Sequence, residues 1–351
     1  MGCQPGVKPR GFGASRMPWS VLGLAVGLAM TSWGADWESS KHRFNLNTHV
    51  GFNIEASFEK LGGVSGPNPG SDLRGTDHFY DDGYNRVDES GNAGGQTRFW
   101  GYDNPGQLLD DAIVMSSFSS SSSGSIRGVQ DAPHWGAELT YARELGWNGS
   151  YWWGVEIGLS WTDLSFKERA SFQGNATIVR DAYSLNGGVA PDAPYAGTFN
   201  GSGPALGDDP LRTVQNLNGA AQTMGEYELD ASLYVLRLGL VYETPFTSWL
   251  SLQFGGGIAG GFVDSEFRYQ ESTTIASLRS SVTRGSESGD DFVGGAYAHA
   301  GLALHFHDHF MASLGMQYKY LTSYTQEAAG RRAEIDFEGA LYVALGVGVT
   351  F

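Results

Sequence analysis

The chain has 351 residues, a formal charge of −16, 51 glycines and one cysteine, Cys3. The acidity argues against nucleic acid as a partner, and a lone cysteine excludes a disulfide framework. Mean hydropathy is slightly negative, which suits a membrane barrel, where only alternate strand residues meet lipid and the loops are polar. The length admits two average domains or one barrel with long loops.

The N-terminus reads as an export signal. Lys8, Arg10 and Arg16 precede an apolar run over 21–30, and Ser32, Gly34 and Ala35 supply small residues for cleavage after Gly34 or Ala35. The run is short for a membrane helix of ~20 residues, and an uncleaved anchor is the alternative. Residues 1–35 are therefore expected to be removed, leaving 36–351 as one domain. That step takes away three bases and no acid, so the formal charge becomes −19.

One pattern then recurs eight times, over 44–58, 135–142, 153–161, 234–242, 250–262, 296–306, 310–320 and 335–351. In each, one parity is aliphatic or aromatic and the other is small or polar, the signature of a strand with two unlike faces. Tight connections are expected near 146–150, 244–248 and 307–309. Long ones are expected at 59–132, 173–226 and 271–291, with a shorter one at 324–333. Short and long alternate, and an even strand count puts both ends on the short-turn side. Segment 112–118 runs into the serine tract 119–123 and fits a ribbon within the first loop or a longer second strand. Ten strands are the alternative if it has an unrecognised partner.

The polar parity is rich in Gly, Ser, Asn and Thr and poor in charge, which suits a narrow bore better than a solvated exterior. Aromatic residues gather at the ends of the apolar parity. Trp153, Tyr242, Trp249, Phe306, Phe310 and Phe351 lie toward the turns; Trp135, Trp161, Phe262, Tyr318 and Phe337 lie toward the loops. Two aromatic girdles are expected at bilayer interfaces.

The final stretch is the most regular, with Leu341, Val343, Leu345, Val347 and Val349 alternating before a terminal Phe351. It resembles the last strand of bacterial outer-membrane β-barrels, and the whole pattern over 44–351 is similar to that of the small eight-stranded OmpA- and OmpX-like proteins. The resemblance implies an all-β, antiparallel, up-and-down transmembrane barrel with periplasmic turns and extracellular loops. It also implies that Phe351 is an assembly signal read by the barrel-insertion machinery. Barrels of this kind serve as anchors, adhesins, narrow channels or lipid-modifying enzymes, so the scaffold leaves the activity open.

Four polar-parity residues, Glu138, Glu156, Arg237 and Gln253, fall on consecutive predicted strands. Glu156 and Arg237 stand at similar depth, so the guanidinium is expected to reach a carboxylate, with Gln253 taking spare hydrogen-bonding capacity. The expected role of this cluster is structural.

Other motifs are weaker. His305, His307 and His309 alternate as metal ligands can, but a tight turn is expected there. Asp81, Asp82, Asn85, Asp88, Glu89 and Asn92 could supply oxygen ligands to Ca²⁺, yet the EF-hand spacing is absent and a solvated acidic loop is the plainer reading. Asp77 with His78, or Asp131 with His134, could serve a hydrolase at the loop mouth, although acidic loops supply such pairs by chance. No catalytic set, metal or other cofactor is expected. The reading is an outer-membrane barrel, probed from outside through acidic loops in a structural or surface-binding role. A narrow channel for small solutes is the alternative, and a lipid-modifying enzyme or protease is a third. Expected partners are outer-membrane lipid and lipopolysaccharide, the insertion machinery and an extracellular ligand, with the protein a monomer.

Overall fold

The computed structural model describes residues 42–351, except 72–74, 89–91, 132, 149, 198–202, 277–278 and 308. The expected signal segment 1–35 lies outside the described residues, as do Glu89 and Asp308.

Eight strands close a ring: β1 (His42–Phe52), β2 (His134–Trp147), β3 (Trp152–Ser184), β4 (Leu211–Pro245), β5 (Leu250–Ile275), β6 (Arg279–His307), β7 (Phe310–Leu321) and β8 (Glu338–Thr350). Each pairs antiparallel with its neighbour in chain order, and β8 closes on β1 with Val347 opposite Leu46. Closure leaves no strand edge in the ring, which is the condition for crossing lipid with strands.

The faces of β4 show how the ring is zoned. Leu236, Leu238 and Leu240 point outward and are exposed, between Tyr234 and Tyr242. This outward run matches the ~9–11 residues that a tilted membrane strand needs. Past Tyr234 the same outward parity becomes Ser232, Asp230, Glu228 and Glu226, while the inward parity turns apolar with Val235, Leu233, Leu229 and Tyr227, all buried. β3 changes at the same level, from outward Trp161 to Asp163 and from inward Thr162 to Leu164 and Phe166. The strand does not end at the bilayer surface; only its polarity inverts.

That inversion corrects the expected loops. β3 and β4 stay paired out to Ala182 and Leu211, so the connection placed at 173–226 narrows to 185–210. β5 and β6 stay paired out to Ile275 and Arg279, reducing 271–291 to a turn. The end of outward apolar residues was a bilayer boundary, not a strand boundary.

Predicted strands 44–58 and 335–351 break instead of running on. Asn53 and Gly339 both take positive φ, at 57° and 93°, and Asn53 Nδ2 donates to Gly339 O at 2.9 Å. Beyond this corner the chain joins a second four-stranded sheet formed by Tyr324–Ala328, Arg331–Asp336, Glu55–Leu61 and Gly124–Val129. Phe58 and Ile335 of this sheet, with Phe337 beside it, share one buried core above the lipid zone with Phe166, Leu229 and Phe267 of the long strands. Phe337, expected in the loop-side girdle, is fully buried there. Ala112–Ser121 is a ribbon of the first loop: it pairs with Asn175–Ser184 of β3, above β2 on the same edge. The ring itself has eight strands, not ten.

Candidate functional site

The bore is layered from the turn end upward. At the turn end a chamber of about 310 Å³ is lined by Arg43, Trp147, Trp152, Glu243, Ser251 and His305, among others. Glu243 forms its centre: Arg43 Nη1 pairs with it, Gln253 Nε2 donates to it at 2.7 Å and Ser251 Oγ donates at 2.7 Å. His305 Nε2 lies 3.1 Å from the same carboxylate.

Higher up, Arg237 Nε donates to Glu138 Oε1 at 2.6 Å and its Nη1 to Glu156. The guanidinium lies over the Tyr297 ring at 4.7 Å, and His299 Nε2 is 3.2 Å from Glu156 Oε1. A third layer places Lys319 Nζ at 3.1 Å from Ser160 Oγ and over the Tyr342 ring at 4.2 Å. His49 Nε2 is 2.9 Å from Thr162 Oγ1. Among the described residues the bore therefore buries three carboxylates, Glu138, Glu156 and Glu243, and three basic side chains, Arg43, Arg237 and Lys319. Each cation sits against an acid or an aromatic face, the arrangement that makes buried charge tolerable. Above Tyr342 and Tyr297 the interior is mainly apolar, with Val235, Val263, Val293 and Phe337 in one buried cluster.

A closed antiparallel ring with a lipid-compatible, aromatic-edged exterior and a polar interior is the inside-out arrangement favoured by a bilayer. The chain is a closed, eight-stranded antiparallel β-barrel of the transmembrane kind. No family model matches it, and no curated protein sequence matches it. Solved structures with similar chain paths are outer-membrane proteins. The attachment invasion locus protein Ail of Yersinia pestis, in complex with the heparin analogue sucrose octasulfate, is 12% identical, with 89% of this chain and 99% of that chain covered and a TM-score of 0.28. OprG of Pseudomonas aeruginosa is 9% identical over 88% of this chain and 96% of that chain, with a TM-score of 0.29. The outer membrane protease OmpT of Escherichia coli is 9% identical over 92% and 99%, with a TM-score of 0.31. These likenesses carry no argument about activity; the ring stands on its own registers.

The four bore residues singled out in the sequence, Glu138, Glu156, Arg237 and Gln253, line one cavity of about 60 Å³. The ion pairs join only Arg237 and the two glutamates, while Gln253 gives its hydrogen bond to Glu243. Gln253 stands directly opposite Glu243 across the β4–β5 ladder, whereas Ala259 stands opposite Arg237, six residue pairs away. Sequence reasoning missed Arg43, Glu243 and Lys319, although the same parity rule contains them: Glu243 and Arg43 lie one residue beyond the predicted strand ends, and Lys319 alternates with Tyr318 and Tyr320.

The loop motifs resolve into structural contacts. Asp81 Oδ2 accepts from the Phe118 amide at 2.7 Å and Asp82 Oδ1 from the Ser116 amide at 2.6 Å, so these acids clamp the edge of the 112–121 ribbon instead of standing in solvent. Asp88 and Asn92 accept from each other's backbone amides, and Asn85 Nδ2 donates to Gly207 O at 3.1 Å. Asp77 holds the Val87 amide and Arg86, while His78 Nδ1 donates to Pro69 O at 2.5 Å. Asp131 accepts from the Lys167 amide at 2.7 Å, and the His134 ring packs on Phe166 at 5.0 Å. Neither acid meets its neighbouring histidine through a hydrogen bond among the described residues. His305 turns into the bore and His309 Nδ1 lies against Thr350 O at 3.0 Å, so these two do not converge.

Proposed function

We propose that this barrel is a membrane-held platform for surface binding, of the small OmpA- and OmpX-like kind, with the second sheet and the β3–β6 extensions outside the cell. One observation carries the reading. The bore is obstructed, by ion pairs around a cavity of only about 60 Å³ and then by an apolar cluster above them, while β3 to β6 continue far past the lipid to build a packed head. An obstructed interior favours an anchor over a channel. The head's outer face is acidic and mixed, with Asp163, Asp230, Asp264 and Glu266 beyond the girdle, and lipopolysaccharide bridged by divalent cations is its nearest neighbour. The protein acts as a monomer delivered by the barrel-insertion machinery.

The test pairs two measurements. Refolded protein in planar bilayers is expected to stay electrically silent. Cells displaying it are expected to adhere to coated surfaces more than cells displaying a variant in which residues 165–228 are replaced by a short turn. Sustained large conductance steps, or equal adherence by the shortened barrel, would overturn the reading.

A further inference from the structure

The chamber at the turn end lies at the opposite pole from the head, and surface binding gives it no task. Its volume of about 310 Å³ reaches the ~300–1,000 Å³ range of small-molecule sites. Above it the bore narrows to a cavity of about 60 Å³ beside the Arg237 ion pairs, too small for the same guest.

The chemistry of the wall limits what can enter. Arg43 is only 7% exposed, its guanidinium lies 4.8 Å from the centre of the Trp152 ring, and its Nε has no hydrogen-bond partner among the described residues. Ser251 and Glu243 both face His305 Nε2, at 2.6 and 3.1 Å, and the His305 ring is part of the chamber wall. Ser248 and Thr247 add hydroxyls from the β4–β5 turn, and Trp147 and Pro245 add flat apolar surface. An anion entering here would meet Glu243 and Glu144, and a cation would meet Arg43. A purely apolar guest would bury the Ser248 and Thr247 hydroxyls without offering them partners. Hydroxyl groups donate and accept, so they satisfy this mixture without adding charge.

We propose that the chamber is a binding site for a small neutral polyol of monosaccharide size, whose C–H face lies on Trp147 and whose hydroxyls meet Arg43, His305 and Ser248. The site binds and catalyses nothing.

The experiment uses the full chain refolded in an alkylphosphocholine micelle, because glycoside detergents would compete. Titration calorimetry with D-glucose, D-galactose and N-acetylglucosamine, beside acetate and choline, reads the binding. At least one sugar is expected to bind in the millimolar range, and the two ions are not. Ser248→Trp, on an exposed turn, fills the mouth and is expected to weaken the sugar about tenfold or more; Arg43→Gln is expected to do the same. Heat-modified gel mobility shows that each variant is folded, and Ser248→Trp keeps the test intact if Arg43→Gln fails to fold. No heat with any sugar, equal binding by folded Ser248→Trp, or acetate or choline binding as well as sugar would each overturn the proposal.

Discussion

Arg237 of β4 bridges the adjacent strand and the one beyond it: its Nε holds Glu138 of β2 at 2.6 Å while the same fork reaches Glu156 of β3. All three side chains are buried. Replacing the cation alone, Arg237→Leu, leaves two carboxylates facing each other in the bore and is expected to cost ~3–5 kcal/mol. Urea unfolding of the refolded barrel in vesicles measures it. The triple replacement Arg237→Leu, Glu138→Gln, Glu156→Gln is expected to recover most of the loss, since the two carboxylates left without their cation are then neutral. A single-variant cost below about 1 kcal/mol would mean that water, not the ion pairs, fills this layer.

Phe351 is exposed at the outer wall, its backbone exchanging two hydrogen bonds with His42 and its ring stacked near His42 and Phe44. A lipid-facing ring at a strand end adds little packing, so deleting it is expected to leave the unfolding midpoint of refolded protein almost unchanged. The effect falls on delivery: outer-membrane levels in cells are expected to drop. Normal surface levels of the truncated chain would remove the assembly role proposed for this residue.

Proteinase K added to whole cells tests the orientation. Backbone that is paired in a sheet resists cutting, and unpaired surface backbone does not. First cuts are expected within 185–210, where Val189 is 87% exposed, while 175–184 and 211–217 resist because they pair with each other. Cuts confined to 148–151 and 246–249 would place the turns outside and the head in the periplasm.

The parts of this fold that were legible in the sequence are those where lipid imposes a simple rule. Leu236, Leu238 and Leu240 could face nothing but an apolar medium, and each of the eight lipid-zone strands carried that mark. The head was not legible for the same reason. Past Tyr234 and Trp161 the rule reverses, Asp230 faces out and Leu229 faces in, and a reader following outward hydrophobicity sees the strand stop. The corner at Asn53 and Gly339 was hidden too, because Phe58 and Ile335 keep the alternation while changing sheets. In the bore, parity found all four residues of one cavity, but it did not show that Gln253 would bond to Glu243, a partner set by the β4–β5 register.

Asp82 gives the head a pH dependence of predictable sign. Burial raises its carboxyl above the usual aspartate range, outweighing the Ser116 amide that favours the charged form. The folded state therefore binds a proton more readily than the unfolded one, so this group's contribution is fully present below the ordinary aspartate pKa and is lost as pH rises through the raised value. Amide exchange at Ser116, corrected for its intrinsic pH dependence, is expected to show weaker protection at neutral than at mildly acidic pH. Asp82→Asn keeps an oxygen acceptor and is expected to flatten the trend. An unchanged trend in that variant would assign the effect to another group.

The last prediction concerns Asp181, which ties the head together. It is fully buried, and both its oxygens accept from the Arg212 fork, at 2.8 and 2.6 Å. Tyr80 donates its hydroxyl to the same carboxylate at 2.5 Å and lies 2.8 Å from the Tyr183 hydroxyl. Burial holds the Tyr80 hydroxyl far above the ordinary tyrosine range, so it remains a donor at any working pH. Arg212 also reaches the Gly70 carbonyl, so one carboxylate joins the first loop to β3 and β4. Asp181→Ala leaves a guanidinium and a hydroxyl without their acceptor. Breaking a buried pair costs ~3–5 kcal/mol, and because the Arg212 side chain keeps 19% of its exposure the expected loss is at the low end, about 3 kcal/mol. The network lies beyond the lipid zone, so the loss is expected as local opening and not as unfolding of the ring. Hydrogen exchange should speed up across 112–121 and 175–184 in this variant, with 234–242 and 341–349 as protected as before. Tyr80→Phe removes one donor and is expected to show the same pattern at about 1 kcal/mol. If Asp181→Ala lowered protection equally in head and ring, the two would form one cooperative unit, and the head could not open on its own.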